Sequence, residues 1–158
     1  MDSTHDAPSR IPWPPLLLAG SIALAFTIDW WLVPLPFPLA EVAVVRAVGL
    51  LLLIAALAVI AWSTVEFGRH ATTVRPDRPS TALIQSGPFA WSRNPIYLAE
   101  TVGLLAAAIV WNMMALVFVA PLFVVAVTAL AIRREEAFLA RRFGATYDDY
   151  CSRVPRWF

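Results

Sequence analysis

The sequence has few of the charged residues that cover the surface of a soluble protein. Only 15% of its 158 residues are charged and 59% are hydrophobic, whereas soluble domains carry about 25% charged residues. The excess apolar surface must face lipid, so we expect a one-domain integral membrane protein with the lipid bilayer as its partner. The formal net charge of +1 argues against a nucleic-acid partner, which would require a basic face.

Residues that bind metals or form disulfides are also scarce. Cys151 is the single cysteine, which rules out an internal disulfide, and the only histidines are His5 and His70. We therefore expect no protein-bound metal, and we interpret Cys151 as a small residue near the end of a helix. A P-loop, a Gly-rich strand-to-helix turn and a nucleophile beside a base are absent too, so the residues alone identify no reaction.

Long apolar runs divide the chain into four predicted transmembrane helices. The second run, from Ala47 to Val65, is long enough to cross about 30 Å of hydrocarbon. The predicted organisation is a disordered tail at 1–11, a first transmembrane hairpin at 12–67, a loop at 68–94, a second transmembrane hairpin at 95–134, and short helices at 135–158. The predicted fold class is thus an all-α polytopic membrane protein.

The distribution of arginine predicts the orientation of these helices. The loop at 68–94 and the tail after Ile132 are rich in arginine, whereas the other connections are nearly free of it. Basic segments stay in the cytoplasm, so we predict that both termini are cytoplasmic, in the inner membrane of a bacterium. The two polar stretches of the chain then lie at the same membrane face.

The first polar stretch leads into the third predicted helix. Asn94 suits the N-cap and Pro95 the first turn, where no N–H donor is needed. Arg93, just before this helix start, is a candidate for binding an anion or simply for reaching lipid phosphates. Glu100 lies about one turn inside the membrane, where a carboxyl group usually faces a cavity or a partner such as an arginine of the loop. Arg93 and Glu100 are the catalytic candidates.

The second polar stretch contains Glu135 and Glu136, where the fourth predicted helix leaves the bilayer. Charges at such an exit are either an ordinary solvated collar or acceptors for a cationic or amino-bearing ligand. Tyr147 and Tyr150 follow within the tail and have aromatic faces suited to such a ligand. They are equally typical of membrane-interface anchors.

An ordered set of motifs in residues 68–158 resembles the isoprenylcysteine carboxyl methyltransferase and phospholipid methyltransferase group. These are integral membrane enzymes that use S-adenosylmethionine. The motifs are Gly87-Pro88-Phe89, Ser92-Arg93-Asn94-Pro95-Ile96-Tyr97-Leu98, Glu135-Glu136 with Leu139, Phe143-Gly144, Tyr147, Tyr150 and Val154-Pro155-Arg156. The first two predicted helices resemble the family only in being hydrophobic.

The resemblance implies that S-adenosylmethionine binds at the cytoplasmic end of the last two spans, under a lid formed by the C-terminal helices. Carried over by position, the predicted cofactor-binding residues are Gly87, Pro88, Phe89, Arg93, Asn94, Pro95, Tyr97, Glu135, Glu136 and Tyr147. The two glutamates would hold the amino-acid or ribose part of the cofactor. Many relatives have histidine in place of Asn94, and asparagine does not take up a proton near neutral pH.

The implied reaction is methyl transfer to a lipid-borne or small hydrophobic acceptor, in which the enzyme positions the reactants and excludes water. A carboxylate acceptor needs no base, so carboxyl O-methylation of the isoprenylcysteine type is slightly favoured. Phospholipid amine N-methylation and a non-enzymatic role in transport or assembly are the alternatives. The sequence predicts neither the acceptor nor the oligomeric state.

Overall fold

The computed structural model describes residues 13–32, 34, 36–70 and 81–158. In this part of the chain the regular structure is helical, with no strand, which confirms the predicted all-α class. The six α-helices are Trp13–Thr27 (α1), Ala43–Arg69 (α2), Pro95–Val110 (α3), Ala115–Val127 (α4), Arg133–Phe143 (α5) and Ala145–Arg153 (α6). The predicted disordered tail at 1–11 and residues 71–80 of the predicted loop lie outside the described residues.

Among the described residues, three helical segments are long and apolar enough to cross a membrane, and they indicate an integral membrane protein. Wide π-helical turns extend α1 at Ile28–Leu32 and join α4 to α5 at Thr128–Ile132. The resulting spans are Trp13–Trp31, Ala43–Arg69 and Ala115–Phe143, of 19, 27 and 29 residues. The third predicted span, α3, has 16 residues and is only about 24 Å long at about 1.5 Å per residue. The count of four therefore stays a prediction.

The helices pack in the order α2, α3, α4, α1, so that α3 lies between α2 and α4. On α2, the buried residues Gly49, Ala56 and Ser63 recur every seven positions. Gly49 lies so close to α3 that an added Cβ would be 2.8 Å from Ile109 Cγ2. Small side chains at this interface let the two helix backbones approach closely, as is typical of membrane helices.

The apolar core lies between α3 and α4, where Leu104, Leu116 and Phe123 are almost completely buried. The outer faces of α1 and α2 carry large exposed hydrophobic side chains, such as Leu51 and Leu57 on α2. In a membrane these faces contact lipid. The two predicted polar stretches meet at the end of the bundle where α3 begins and where α5 and α6 follow α4.

Candidate functional site

A short turn at Gly87–Ala90 brings the first polar stretch to the start of α3. Gly87 has a φ of +58°, which favours glycine because it has no Cβ. Pro88 and Phe89 are buried, and the Phe89 carbonyl accepts a 2.8 Å hydrogen bond from the Tyr150 hydroxyl. The turn is therefore fixed against the C-terminal helix α6.

The start of α3 lies where it was predicted, with Asn94 at the N-cap and Pro95 first in the helix. The predicted capping role of the Asn94 side chain is wrong, since it makes no capping hydrogen bond. Its amide Nδ2 donates to the carbonyl of Arg156 at 3.0 Å, and Ser92 Oγ donates to the same carbonyl at 3.2 Å. The Arg93 backbone N–H donates to the Pro155 carbonyl at 3.0 Å. The last residues of the chain thus cover the beginning of α3.

Arg93, Glu136 and Arg156 form an arginine–glutamate cluster at this crossing. The Arg156 guanidinium donates to both oxygens of Glu136, with Nε–Oε1 at 2.9 Å and Nη2–Oε2 at 2.7 Å. Arg93 Nη1 lies 3.3 Å from Glu136 Oε1. These hydrogen bonds raise the pKa of Arg156 above its ordinary value. The structure therefore joins the predicted residues Arg93 and Glu136, and it adds Arg156, which was not predicted as a site residue although it ends the last motif.

Glu135 points to a different partner from its neighbour Glu136. The Tyr97 hydroxyl donates to Glu135 Oε1 at 2.8 Å, and the Tyr97 side chain belongs to the buried apolar core. This hydrogen bond thus joins two of the predicted cofactor-binding residues, a contact that was not predicted. It connects the first turn of α3 to the start of α5.

Two buried polar atoms near this helix start have no hydrogen-bond partner among the described residues: Arg93 Nε and Glu100 Oε2. Trp13 Nε1 is a third such atom. A buried polar atom without a partner costs about 1–3 kcal/mol and in a native protein calls for a specific explanation, such as a ligand. Arg93 Nε belongs to a cationic donor and Glu100 Oε2 to a carboxyl acceptor. These two groups suit a ligand that carries a negative and a positive charge.

The α6 side of the site is formed by Tyr147, Tyr150 and Cys151. Arg93 Nη1 donates to the Cys151 sulfur at 2.8 Å, a contact that the interpretation of Cys151 as a small helix-end residue missed. Burial and, second, hydrogen bonding to Cys151 raise the pKa of Tyr147 above its ordinary value. Burial also raises the pKa of Tyr150 to about 12. Both phenols are therefore neutral at physiological pH. Within the described ranges, no three side chains of His, Cys, Asp or Glu are grouped so that they could hold a metal ion.

The profile of the phospholipid methyltransferase family matches residues 44–146. This stretch is well over half of the chain. The protein belongs to the phospholipid methyltransferase family. Membership confirms the resemblance seen in the motifs and implies a membrane methyltransferase. The matched stretch contains the Gly87–Ala90 turn, all of α3, and both Glu135 and Glu136, whereas α6 continues beyond it.

Two curated relatives match about half of this family member. They are the nickel-cobalt-cadmium resistance protein NccN of Alcaligenes xylosoxydans xylosoxydans, 31% identical over 81 residues, and the cobalt-zinc-cadmium resistance protein CzcN of Cupriavidus metallidurans, 30% identical over 81 residues. Each match covers 51% of the present chain, and 38% and 37% of the respective relative. The matched stretch is thus less than two fifths of the length of these relatives. No solved structure matches the chain significantly.

Proposed function

We propose that this protein is an S-adenosylmethionine-dependent methyltransferase that acts on a lipid-borne or small hydrophobic acceptor. The observation that carries the proposal is the pair of buried atoms without partners, Arg93 Nε and Glu100 Oε2, at the end of α3 that the family's motifs occupy. The amino-acid end of S-adenosylmethionine carries a carboxylate and an ammonium group, which match a guanidinium donor and a carboxyl acceptor. When bound, the cofactor supplies an activated methyl group on a positively charged sulfur.

The residues of the site would bind different groups of the cofactor. Arg93 would bind the carboxylate, while Glu136 holds its guanidinium in place with an ion pair at 3.3 Å. Glu100 would accept from the ammonium group, and Glu135, already bonded to Tyr97, would add negative charge near the sulfonium. Residues 155–157, which cover the start of α3, would exclude water. We place this site at the cytoplasmic face, because the arginine-rich segments border it.

The adjacent carboxylates Glu135 and Glu136 already accept hydrogen bonds from protein donors. Glu135 accepts from Tyr97, and Glu136 accepts from Arg156. They are therefore poorly placed to take a proton from an acceptor. We accordingly favour an acceptor that is nucleophilic without losing a proton, such as a carboxylate. The free oxygen of Glu100 favours the second candidate, methylation of a phospholipid amine, because it would be the base that an amine requires.

Binding of the cofactor is tested by calorimetry on the detergent-purified protein. We expect Arg93→Ala to weaken binding of S-adenosylmethionine at least tenfold, or about 1.4 kcal/mol, because the carboxylate loses its buried donor. Arg141→Ala removes an exposed arginine of α5 and is the matched control, with unchanged affinity. A folded wild-type protein that binds no S-adenosylmethionine, or equal affinity in Arg93→Ala, would contradict the proposal and favour a non-enzymatic role.

The acceptor class is tested with tritiated S-adenosylmethionine and a membrane-lipid extract. Methyl esters release labelled methanol in alkali, whereas N-methylated amines retain their label. We expect alkali-labile product, and Glu100→Gln to keep its kcat at saturating cofactor. Alkali-stable product together with a lost kcat in Glu100→Gln would instead identify an amine acceptor and Glu100 as its base.

A further inference from the structure

Glu66, near the end of α2, is a buried carboxylate outside the predicted set of site residues. Its side chain is 5% exposed. It accepts a 2.7 Å hydrogen bond from Ser86 Oγ and a 2.9 Å hydrogen bond from Arg69 Nη1. Burial of a carboxylate is costly unless donors surround it. Here one donor comes from the segment just before the Gly87–Ala90 turn, so the carboxylate links α2 to that turn.

Gly87 lies directly on the Glu66 side chain. A Cβ added to Gly87 would be 2.9 Å from Glu66 Cγ and 3.0 Å from Trp62 Nε1. Real Cβ atoms do not approach other atoms so closely, so a side chain at this position would displace Glu66 or the turn. The backbone of the turn and the carboxylate are therefore shaped to fit each other.

Two aromatic contacts also join α2 to this segment. Phe67 of α2 packs edge-to-face on Phe89, with ring centroids 5.4 Å apart, and Trp62 packs in the same way on Trp91 at 5.8 Å. Edge-to-face pairs have a preferred geometry and hold it. The last turns of α2 thus contact residues 86–91 at three places, through Trp62, Glu66 and Phe67.

We infer that Glu66 is a positioning residue for Arg93, and this inference rests on the proposed function because Arg93 is there the group that binds the cofactor. Glu66 fixes Ser86 and Gly87, and Phe89 is held from the other side by Tyr150. Arg93 follows four residues later and donates to Pro155 through its backbone. If Glu66 no longer holds the beginning of this segment, the Arg93 guanidinium loses its defined place in the arginine–glutamate cluster.

The test measures cofactor affinity in a double-mutant cycle. We expect Glu66→Ala to weaken binding of S-adenosylmethionine about five- to tenfold. In an Arg93→Ala background the same change should alter cofactor affinity less than about twofold, because Glu66 acts on affinity through the Arg93 side chain that is then missing. Glu66→Gln keeps an oxygen that can accept from Ser86 and should recover most of the affinity. If Glu66→Ala folds poorly, Ser86→Ala removes the same link from the other side and should weaken binding in the same direction.

Gly49→Ala is the matched control on the same helix. It disturbs the contact of α2 with Ile109, away from the turn, so it should lower the thermal midpoint and leave affinity unchanged. Hydrogen exchange without cofactor should be faster at residues 86–93 in Glu66→Ala than in Gly49→Ala. Wild-type affinity in Glu66→Ala, or an equal loss in the Arg93→Ala background, would overturn the positioning role. If the wild-type protein binds no S-adenosylmethionine while hydrogen exchange at residues 86–93 is faster in Glu66→Ala, the proposed function is refuted. The structural role of Glu66 in holding this segment is then still supported.

Discussion

Arg156 offers a direct test of the arginine–glutamate cluster, because one substitution removes two hydrogen bonds to Glu136. The bonds measure 2.9 and 2.7 Å, and the side chains of Arg156 and Glu136 are 41% and 18% exposed. Exposed ion pairs contribute about 0–1 kcal/mol, whereas breaking a buried pair costs about 3–5 kcal/mol. The exposure of this pair lies between those cases, so we expect Arg156→Ala to lower the free energy of unfolding by about 2 kcal/mol.

For a chain of this length, such a loss lowers Tm by about 4–8 °C, which tryptophan fluorescence measures in detergent. Arg156→Lys keeps the charge but cannot form the two-pronged pair, so it should recover less than half of the loss. In a Glu136→Gln background, Arg156→Ala should cost less than about 1 kcal/mol, because the ion pair is already absent. An unchanged Tm in Arg156→Ala, or the same loss in both backgrounds, would refute the assignment of the pair.

Two further predictions concern the turn and its contact with α6. Gly87→Ala should lower the free energy of unfolding by at least about 1 kcal/mol, because the φ of +58° and the close contact with Glu66 both oppose a Cβ at this position. Gly20→Ala is the control, since a Cβ there would meet nothing within 4 Å, and it should not lower that free energy. Equal thermal unfolding midpoints in the two variants would contradict this prediction. Burial raises the pKa of Tyr150 to about 12 from about 10, so its contribution to stability is complete below pH ~10 and is lost as the pH rises toward ~12. The thermal unfolding midpoint should therefore fall less steeply between pH ~10 and pH ~12 in Tyr150→Phe than in the wild type. The same slope in both proteins would contradict this prediction.

The helices and the start of α3 were predictable because their signals are local. An apolar run needs only its own length to indicate a span, and proline in the first helical turn marks where α3 begins at Pro95. The end of α3 was predictable as well, because the sequence predicts a short third span from about Ile96 to Trp111 and a tight turn at Asn112, and α3 ends at Val110. At Asn112 the backbone takes a φ of +56°, and Asn112 Oδ1 accepts from the Phe37 N–H at 2.7 Å.

The contacts that assemble the site were not predictable in the same way, because they join distant residues. Asn94 looked like a capping residue, and its side chain instead donates to the carbonyl of Arg156, 62 positions away. Glu66 directly follows the second predicted span, and its partner Ser86 is 20 positions away. A local sequence pattern does not predict hydrogen bonds between residues that are this far apart in the chain. The motif resemblance supplied Arg93, Asn94 and Glu136 as a set, but not the contacts among them.

The separation of Glu135 from Glu136 changes what this pair of carboxylates can do. Adjacent residues on a helix point about 100° apart, so both side chains cannot face the same group of a ligand. Glu135 accepts from Tyr97, while Glu136 is held between Arg156 and Arg93. In the proposed function, a joint role in holding one part of the cofactor would therefore become two roles: Glu135 would act beside α3 with Tyr97, and Glu136 would orient the arginines. On this reasoning Glu136→Ala weakens cofactor binding through Arg93, and it should add little once Arg93 has been replaced.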